Sequence, residues 1–326
     1  MLRRIVIMLM LLLLPGSRAL AEVVSPTDVI TPAEVSTPTD VITPTDALAV
    51  PASERFLPEG QPAVLTDSSY RSSSIAIDIT RRRVEGSDVY VADIYVRTTD
   101  SLRRAYGGGQ WNRKTQSVRT LAEDSGAILA ITGDSAQNIT AGLVIGNGEL
   151  LRSTPNLKRD LCVLYTDGVM KTLLAASIDH DALLAQQDRI WQTFLFGPVL
   201  LDEHGRAMTI FNTNVSPANP RSAIGYYAPG HYCFVQVDGR RTASAIEKGK
   251  TNAGMTMQQL SALMESLGCA AAYNLDGGQS SMLWFGGQVI STPYKGGRRV
   301  GDIVLIAEDA PAATEDDTLL VKEESP

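Results

Sequence analysis

Three kinds of hydrophobic patterning divide this 326-residue chain. Residues 5–14 form one unbroken apolar run behind Arg3 and Arg4 and ahead of Ala19-Leu20-Ala21. A basic start, a short apolar stretch and an A-x-A site describe a secretory leader over residues 1–21, cleaved after Ala21. The run is too short to span a bilayer, which takes about 20 residues. Residues 22–67 show no sustained period and imperfectly repeat Pro-Thr-Asp-Val-Ile-Thr-Pro. Closely spaced prolines remove backbone donors and favour extended chain, so this segment is expected to be a disordered stalk. From 68 to 307 the pattern changes to short alternating or β-branched stretches between glycine-containing turns, and 308–326 reads as an acidic disordered tail.

Within 68–307, alternation and β-branching predict strands over 74–80, 88–98, 127–131, 143–145, 162–165, 170–174, 199–201 and 270–275. Gly146-Asn147-Gly148, Asp167-Gly168 and His204-Gly205 supply turn residues that tolerate positive φ. The clearest helix covers 257–267, where Thr256 and Gln259 form a capping box, Gly268 is the stop, and Met257, Leu260, Leu263, Met264 and Leu267 make one apolar stripe. A second helix is expected over 179–189, capped by Asp179. The sum is an α+β fold: a mixed, largely antiparallel β-sheet core with a few packed helices.

Charge changes this picture once it is divided along the chain. The formal net charge is −7, but the stalk holds eight acidic residues against Arg55 and the tail seven against Lys322. Setting these aside with the three leader arginines, 24 basic and 21 acidic residues of the chain's 29 and 36 remain in the domain, a net +3. A mildly basic domain tolerates an anionic ligand, and no basic block with interleaved aromatics suggests nucleic acid. No later segment is long and apolar enough to span a membrane, so a secreted or cell-envelope location is expected. Cys162, Cys233 and Cys269 lie in apolar contexts and read as buried free thiols, while His180, His204 and His231 are scattered without zinc spacing. Nucleotide, HExxH and GxSxG motifs are absent, and no cofactor is expected.

Candidate chemistry gathers at strand ends. Tyr273-Asn274-Leu275-Asp276-Gly277-Gly278-Gln279-Ser280-Ser281 ends a strand in a glycine loop with an amide, a carboxylate and two hydroxyls. Glycines let backbone approach a ligand, and Asp276 has the chemistry of an acid, a base or an electrostatic stabiliser. A polar hairpin turn would use the same residues. Arg221 in Asn219-Pro220-Arg221-Ser222 and Arg240 in Val237-Asp238-Gly239-Arg240-Arg241 suit bidentate contact with phosphate oxygens. Ile131-Thr132-Gly133-Asp134-Ser135 places further polar groups after a strand.

Taken in order, ILAITGD, GLVIGNGEL, FGPVLLDEHGR, NPRSAIG, VDGRR, GMTMQQLSALMESLGC, AYNLDGGQSSML and RRVGDIVLI resemble the phosphodiester glycosidase domain family, which includes the animal lysosomal uncovering enzyme. The resemblance implies a hydrolase that cleaves a sugar from a sugar-1-phosphodiester, with a sugar-phosphate or phosphoglycan as its partner. It implies that Arg221, Asp238, Arg240, Asn274, Asp276 and the Gly277, Gly278, Ser280, Ser281 loop line the cleft, with Thr132 and Gly133 beside them. Arg221, Arg240 and the Gly277 and Gly278 amides would hold the leaving phosphate, while Asp276, Asp238 or Asp134 faces the sugar or activates water. Thr132, Ser135-Ala136 and Gln279 depart from the family's asparagine, aromatic and third glycine, which bears on specificity and activity. Two rivals stay open: a non-catalytic envelope protein binding anionic glycan in the same cleft, and a serine esterase using Gly133-Asp134-Ser135, which lacks the expected Asp-x-x-His block.

Overall fold

The computed structural model describes residues 52–156, 158–239 and 253–308, and the leader, the stalk up to Pro51 and the tail from Asp309 lie outside the described residues. Every strand pairing among the described residues is antiparallel, and three sheets form the α+β fold. The largest sheet runs in the order β1 (Val64–Leu65), β2 (Ser69–Arg71), β3 (Ile75–Val84), β4 (Ser87–Val96), β13 (His231–Val237), β12 (Arg221–Ala228) and β14 (Ala271–Asn274). A second is ordered β10 (Met170–Leu173), β9 (Leu161–Tyr165), β11 (Ile190–Phe194), β7 (Gly142–Gly146) and β8 (Glu149–Thr154). The third is β16 (Gln288–Val289), β15 (Leu283–Phe285), β6 (Leu129–Thr132), β17 (Asp302–Ile306) and β5 (Leu102–Tyr106).

Side chains alternate between faces along a strand, and here both faces of the large sheet are covered. Along β4, Tyr90, Ala92, Ile94 and Val96 enter a central core shared by all three sheets, whereas Val89 and Val91 enter a second core on the opposite face. Helix α3 (Met257–Ser266) caps that second core with Met257, Leu260, Leu263 and Met264, and the Thr256–Gln259 capping box fixes its start. Gly225 in β12 allows α3 to sit this close: a Cβ there would lie 2.6 Å from Cys233 Sγ and 2.7 Å from both Cys269 Sγ and Met264 Cε. All three cysteines are buried and free. Helix α1 (Val118–Asp124), capped by Ser117, covers the outer face of the third sheet, and its seven residues are too few for a helical period to stand out in the sequence.

Three expectations shift. Residues 199–201 form isolated bridges, from Val199 to Tyr273 and from Leu201 to Ala207, rather than a strand, because they meet no continuous partner. The second helix is only α2 (His180–Leu184), capped by Asp179 as expected and followed by a separate 3₁₀ turn at Gln187–Arg189. Within the expected stalk, Val64–Leu65 form β1 against β2 and the Arg97 guanidinium stacks 4.6 Å from the Phe56 ring, while residues 58–67 stay exposed. No helix of the described residues is long and apolar enough to cross a membrane.

Candidate active site

Four strand ends meet at one point. β6 leads into Gly133, β14 into Leu275-Asp276, β15 begins just beyond Ser281, and β17 begins at Asp302. Backbone bonds knit them together: Asp276 N–H donates to Gly133 O at 3.0 Å, Gly133 N–H to Asp302 O at 3.1 Å, and the Thr132 hydroxyl to Ser280 O at 2.5 Å. Gly133 is obligatory, because a Cβ there would stand 2.0 Å from Asp302 Oδ2.

Asp276 lies at the centre and is 5% exposed. Its Oδ2 accepts from Ser135 Oγ at 2.7 Å, Ser280 Oγ at 2.8 Å and Arg298 Nη2 at 3.0 Å. Arg298 Nε also donates to Ser280 Oγ at 2.5 Å, so guanidinium and hydroxyl form a relay onto one carboxylate oxygen. The Arg298 side chain is 52% exposed and forms the outer side of the cluster. No described residue donates to Asp276 Oδ1.

A fully buried charge cluster sets the geometry beneath it. Arg104, from β5, donates through Nη2 to Asp134 Oδ1 at 2.5 Å and Asp302 Oδ2 at 2.6 Å, and through Nη1 to Thr193 O at 2.9 Å. Asp134 also accepts the amides of Ala136 at 3.1 Å and Leu195 at 2.7 Å, and Asp302 accepts those of Asp134 at 3.2 Å and Ser135 at 3.1 Å. Burial pushes the Asp134 carboxyl up, with the Asp302 charge adding to it, against the pull of Arg104 and the two amides. Burial opposes the Arg104 charge, but Asp134, Tyr106 and Asp302 together outweigh it and raise its pKa above the ordinary arginine value. The cluster holds Ser135 in the left-handed region at φ 51°, a conformation that costs a non-glycine residue about 1–2 kcal/mol, and so aims its hydroxyl at Asp276.

The other expected residues are placed as follows. Arg221 is 2% exposed and bonds backbone through two of its nitrogens: Nε donates to Met255 O at 2.9 Å, and Nη2 to Val215 O at 2.7 Å and Pro217 O at 2.6 Å. Gly278 N–H donates to Pro220 O at 2.9 Å, so that amide is also occupied. At Gly277 a Cβ would meet Pro220 O at 2.6 Å. Buried Asp238 accepts Thr292 N–H at 2.9 Å. Asp134 points into the Arg104 cluster. Ser281 bonds Ser222 at 3.0 Å in the interior, and Asn274 donates to Gly197 O at 2.7 Å with its Oδ1 buried and unpartnered among the described residues. Arg240 lies outside the described residues. The structure therefore brings Asp276, Ser280, Thr132 and Gly133 together and adds Ser135, Arg298, Arg104 and Asp302. Arg298 opens the Arg298-Arg299-Val300-Gly301-Asp302 segment, where two arginines before a strand were the available signal. Ser135 Oγ meets a carboxylate, not an imidazole; His231 pairs with Asp93 at 2.7 Å instead.

Comparison with known proteins places this arrangement. The phosphodiester glycosidase family model matches residues 125–307. An uncharacterized SPβ prophage-derived protein of Bacillus subtilis, YomE, is 28% identical over 254 residues, covering 70% of this chain and 37% of that protein. The chain thus spans little more than a third of that curated relative's length. Among solved structures, the zebrafish N-acetylglucosamine-1-phosphodiester α-N-acetylglucosaminidase catalytic domain aligns with a TM-score of 0.55 at 19% identity, covering 72% of this chain and 83% of that one. A hypothetical protein from Synechocystis aligns with a TM-score of 0.55 at 16% identity, covering 76% and 64%. At such identities the two structures are alike in fold. The family match covers more than half of the chain and carries Ser135, Asp276, Ser280 and Arg298 within it, so the chain belongs to the phosphodiester glycosidase family.

Proposed function

We propose that the protein is an exported hydrolase that breaks the C1–O bond of a sugar-1-phosphodiester, acting on cell-envelope or exopolysaccharide glycoconjugates. The observation that carries this reading is the Asp276 carboxylate, buried at the head of a glycine loop with three donors on Oδ2 and none from a described residue on Oδ1. Family membership and the name of the zebrafish relative support the substrate class. The leader pattern of residues 1–21 supports export.

Cleavage sends the C1–O electron pair to the phosphate, builds oxocarbenium character on the sugar, and ends with water adding at C1. Asp276 Oδ1 faces that developing positive charge and takes the proton from the attacking water. Ser135, Ser280 and Arg298 fix the carboxylate before substrate arrives, so no reorganisation is needed during the reaction. Arg298 Nη1, bonded to no described residue, donates to the departing phosphate, with Arg240 as a second candidate. Arg221 acts at one remove, by holding the 215–217 loop.

Hydrolysis of a sugar-1-phosphodiester in ¹⁸O-labelled water tests this. Label is expected in the sugar's C1 hydroxyl, read promptly because that position exchanges, and not in the phosphate. Label in the phosphate would mean attack at phosphorus, and no turnover of any such ester leaves the glycan-binding reading. N-terminal sequencing of the exported protein, expected to begin at Glu22, checks the leader.

A further inference from the structure

A groove of about 530 Å³ lies beside the strand that carries Asp276, floored by Phe196, Gly197, Pro198 and Val199. Two bonds tie this floor to β14: Asn274 N–H donates to Pro198 O at 3.1 Å and Asn274 Nδ2 to Gly197 O at 2.7 Å. Asn274 precedes Asp276 by two residues, about 7 Å of extended chain. Lys158 and Arg159 line the groove, both exposed. Among the described residues neither has an acidic partner within ion-pair distance, and Arg159 Nη1 is oriented by Phe196 O at 3.0 Å. The acid in the lining, Asp160, is turned to backbone, its two oxygens accepting the amides of Ala175 at 2.9 Å and Val199 at 3.0 Å. Residues 210–214 also line the groove and carry Asn212, Thr213 and Asn214 together with Ile210, which is 73% exposed. The next residues, 215–217, are those whose carbonyls Arg221 clasps, so the arginine expected to grip phosphate instead holds the loop that continues this lining.

We propose that this groove is an aglycone subsite in which Lys158 and Arg159 bind a second phosphate of the substrate, one repeat beyond the bond that is cut. The inference rests on the glycosidase reading and narrows it: the preferred substrate is a phosphodiester-linked glycan chain with several phosphates, not an isolated sugar-1-phosphodiester. Two cations without acidic partners, beside amide and hydroxyl donors, suit a phosphate that stays partly hydrated. Apolar Ile210 and Phe211 suit the carbon face of a sugar ring.

The test is calorimetric binding to the full chain carrying Asp276→Asn, which slows turnover about 100-fold or more. The ligands are a chemically defined phosphodiester-linked oligosaccharide and its fragment with a single phosphodiester. The oligosaccharide is expected to bind more tightly, with the steeper salt dependence. Adding Lys158→Gln and Arg159→Gln should lower its affinity about tenfold, the loss expected for two part-exposed charge-assisted hydrogen bonds, and leave the fragment's affinity unchanged. An unchanged thermal midpoint shows that the double variant folds. Equal affinity for the two ligands, or an equal loss on both, overturns the subsite. If the active chain cleaves neither ligand while the binding difference holds, the glycosidase reading fails and the groove remains a phosphate site.

Discussion

Asp276 Oδ2 collects a guanidinium and two hydroxyls, which makes the carboxylate a charge that the surroundings have already organised. Replacing it with Asn keeps the shape and removes the charge; under the proposed mechanism that charge faces the oxocarbenium, so kcat is expected to fall about 100-fold or more. Ser135→Ala removes one of the three donors and leaves Arg298 and Ser280 in place, and a loss of about tenfold is expected. Steady-state rates of the two variants measured side by side check both numbers. Were Ser135 a nucleophile, its removal would cost far more than that of Asp276, and a serine-directed phosphonate would label the protein. Arg221 shows where residue-level reading stops. An arginine beside a strand start has the same five donors whether phosphate or main chain takes them, and here the carbonyls of Met255, Val215 and Pro217 take those on Nε and Nη2. Arg298 carries no local mark that sets it apart from Arg299, whose guanidinium bonds Thr115 O at the surface.

At the level of elements, the hairpins and helix α3 follow from short-range signals. Val84 pairs with Ser87 across Glu85 and Gly86, at φ 50° and 72°, which is the double positive φ of a two-residue hairpin turn. The loops of the site need longer reach. Arg104 on β5 ties the loop after β6 to the start of β17, and 198 residues separate it from Asp302. Arg104→Leu would leave Asp134 and Asp302 buried without their cation, and unfolding in denaturant should register a loss of about 3–5 kcal/mol. A loss within experimental error would mean that the two carboxylates do not depend on that charge. The double substitution Arg104→Leu with Asp134→Asn should recover part of the loss, because one uncompensated charge is removed with its partner.

Over the whole molecule, burial on both faces of the sheets governs the alkaline response. Tyr70, Tyr95, Tyr106 and Tyr232 have their hydroxyls pushed from 10.0 to about 12, with burial the largest cause in each. The folded state therefore keeps protons that the unfolded state has lost, so stability is intact below pH 10 and declines as pH rises from 10 to about 12. Tyrosinate absorbance should rise together with loss of structure, whereas titration of all ten tyrosines near pH 10 in a folded chain would contradict it. The same two-sided burial explains what could be read beforehand. Alternation, turn glycines and the capping box act over a few neighbouring residues, so the expected strands other than 199–201, helix α3, the antiparallel sheets and the position of the Asp276 loop were legible in the chain. Strands β5 and β11, the short helix α1 and the inward turn of Arg221 and Asp134 were not, since each depends on what packs opposite. Ser135 and Asp276 meet across 141 residues, and only the stacking of three sheets decides which polar groups at the strand ends face one another and which are consumed by backbone.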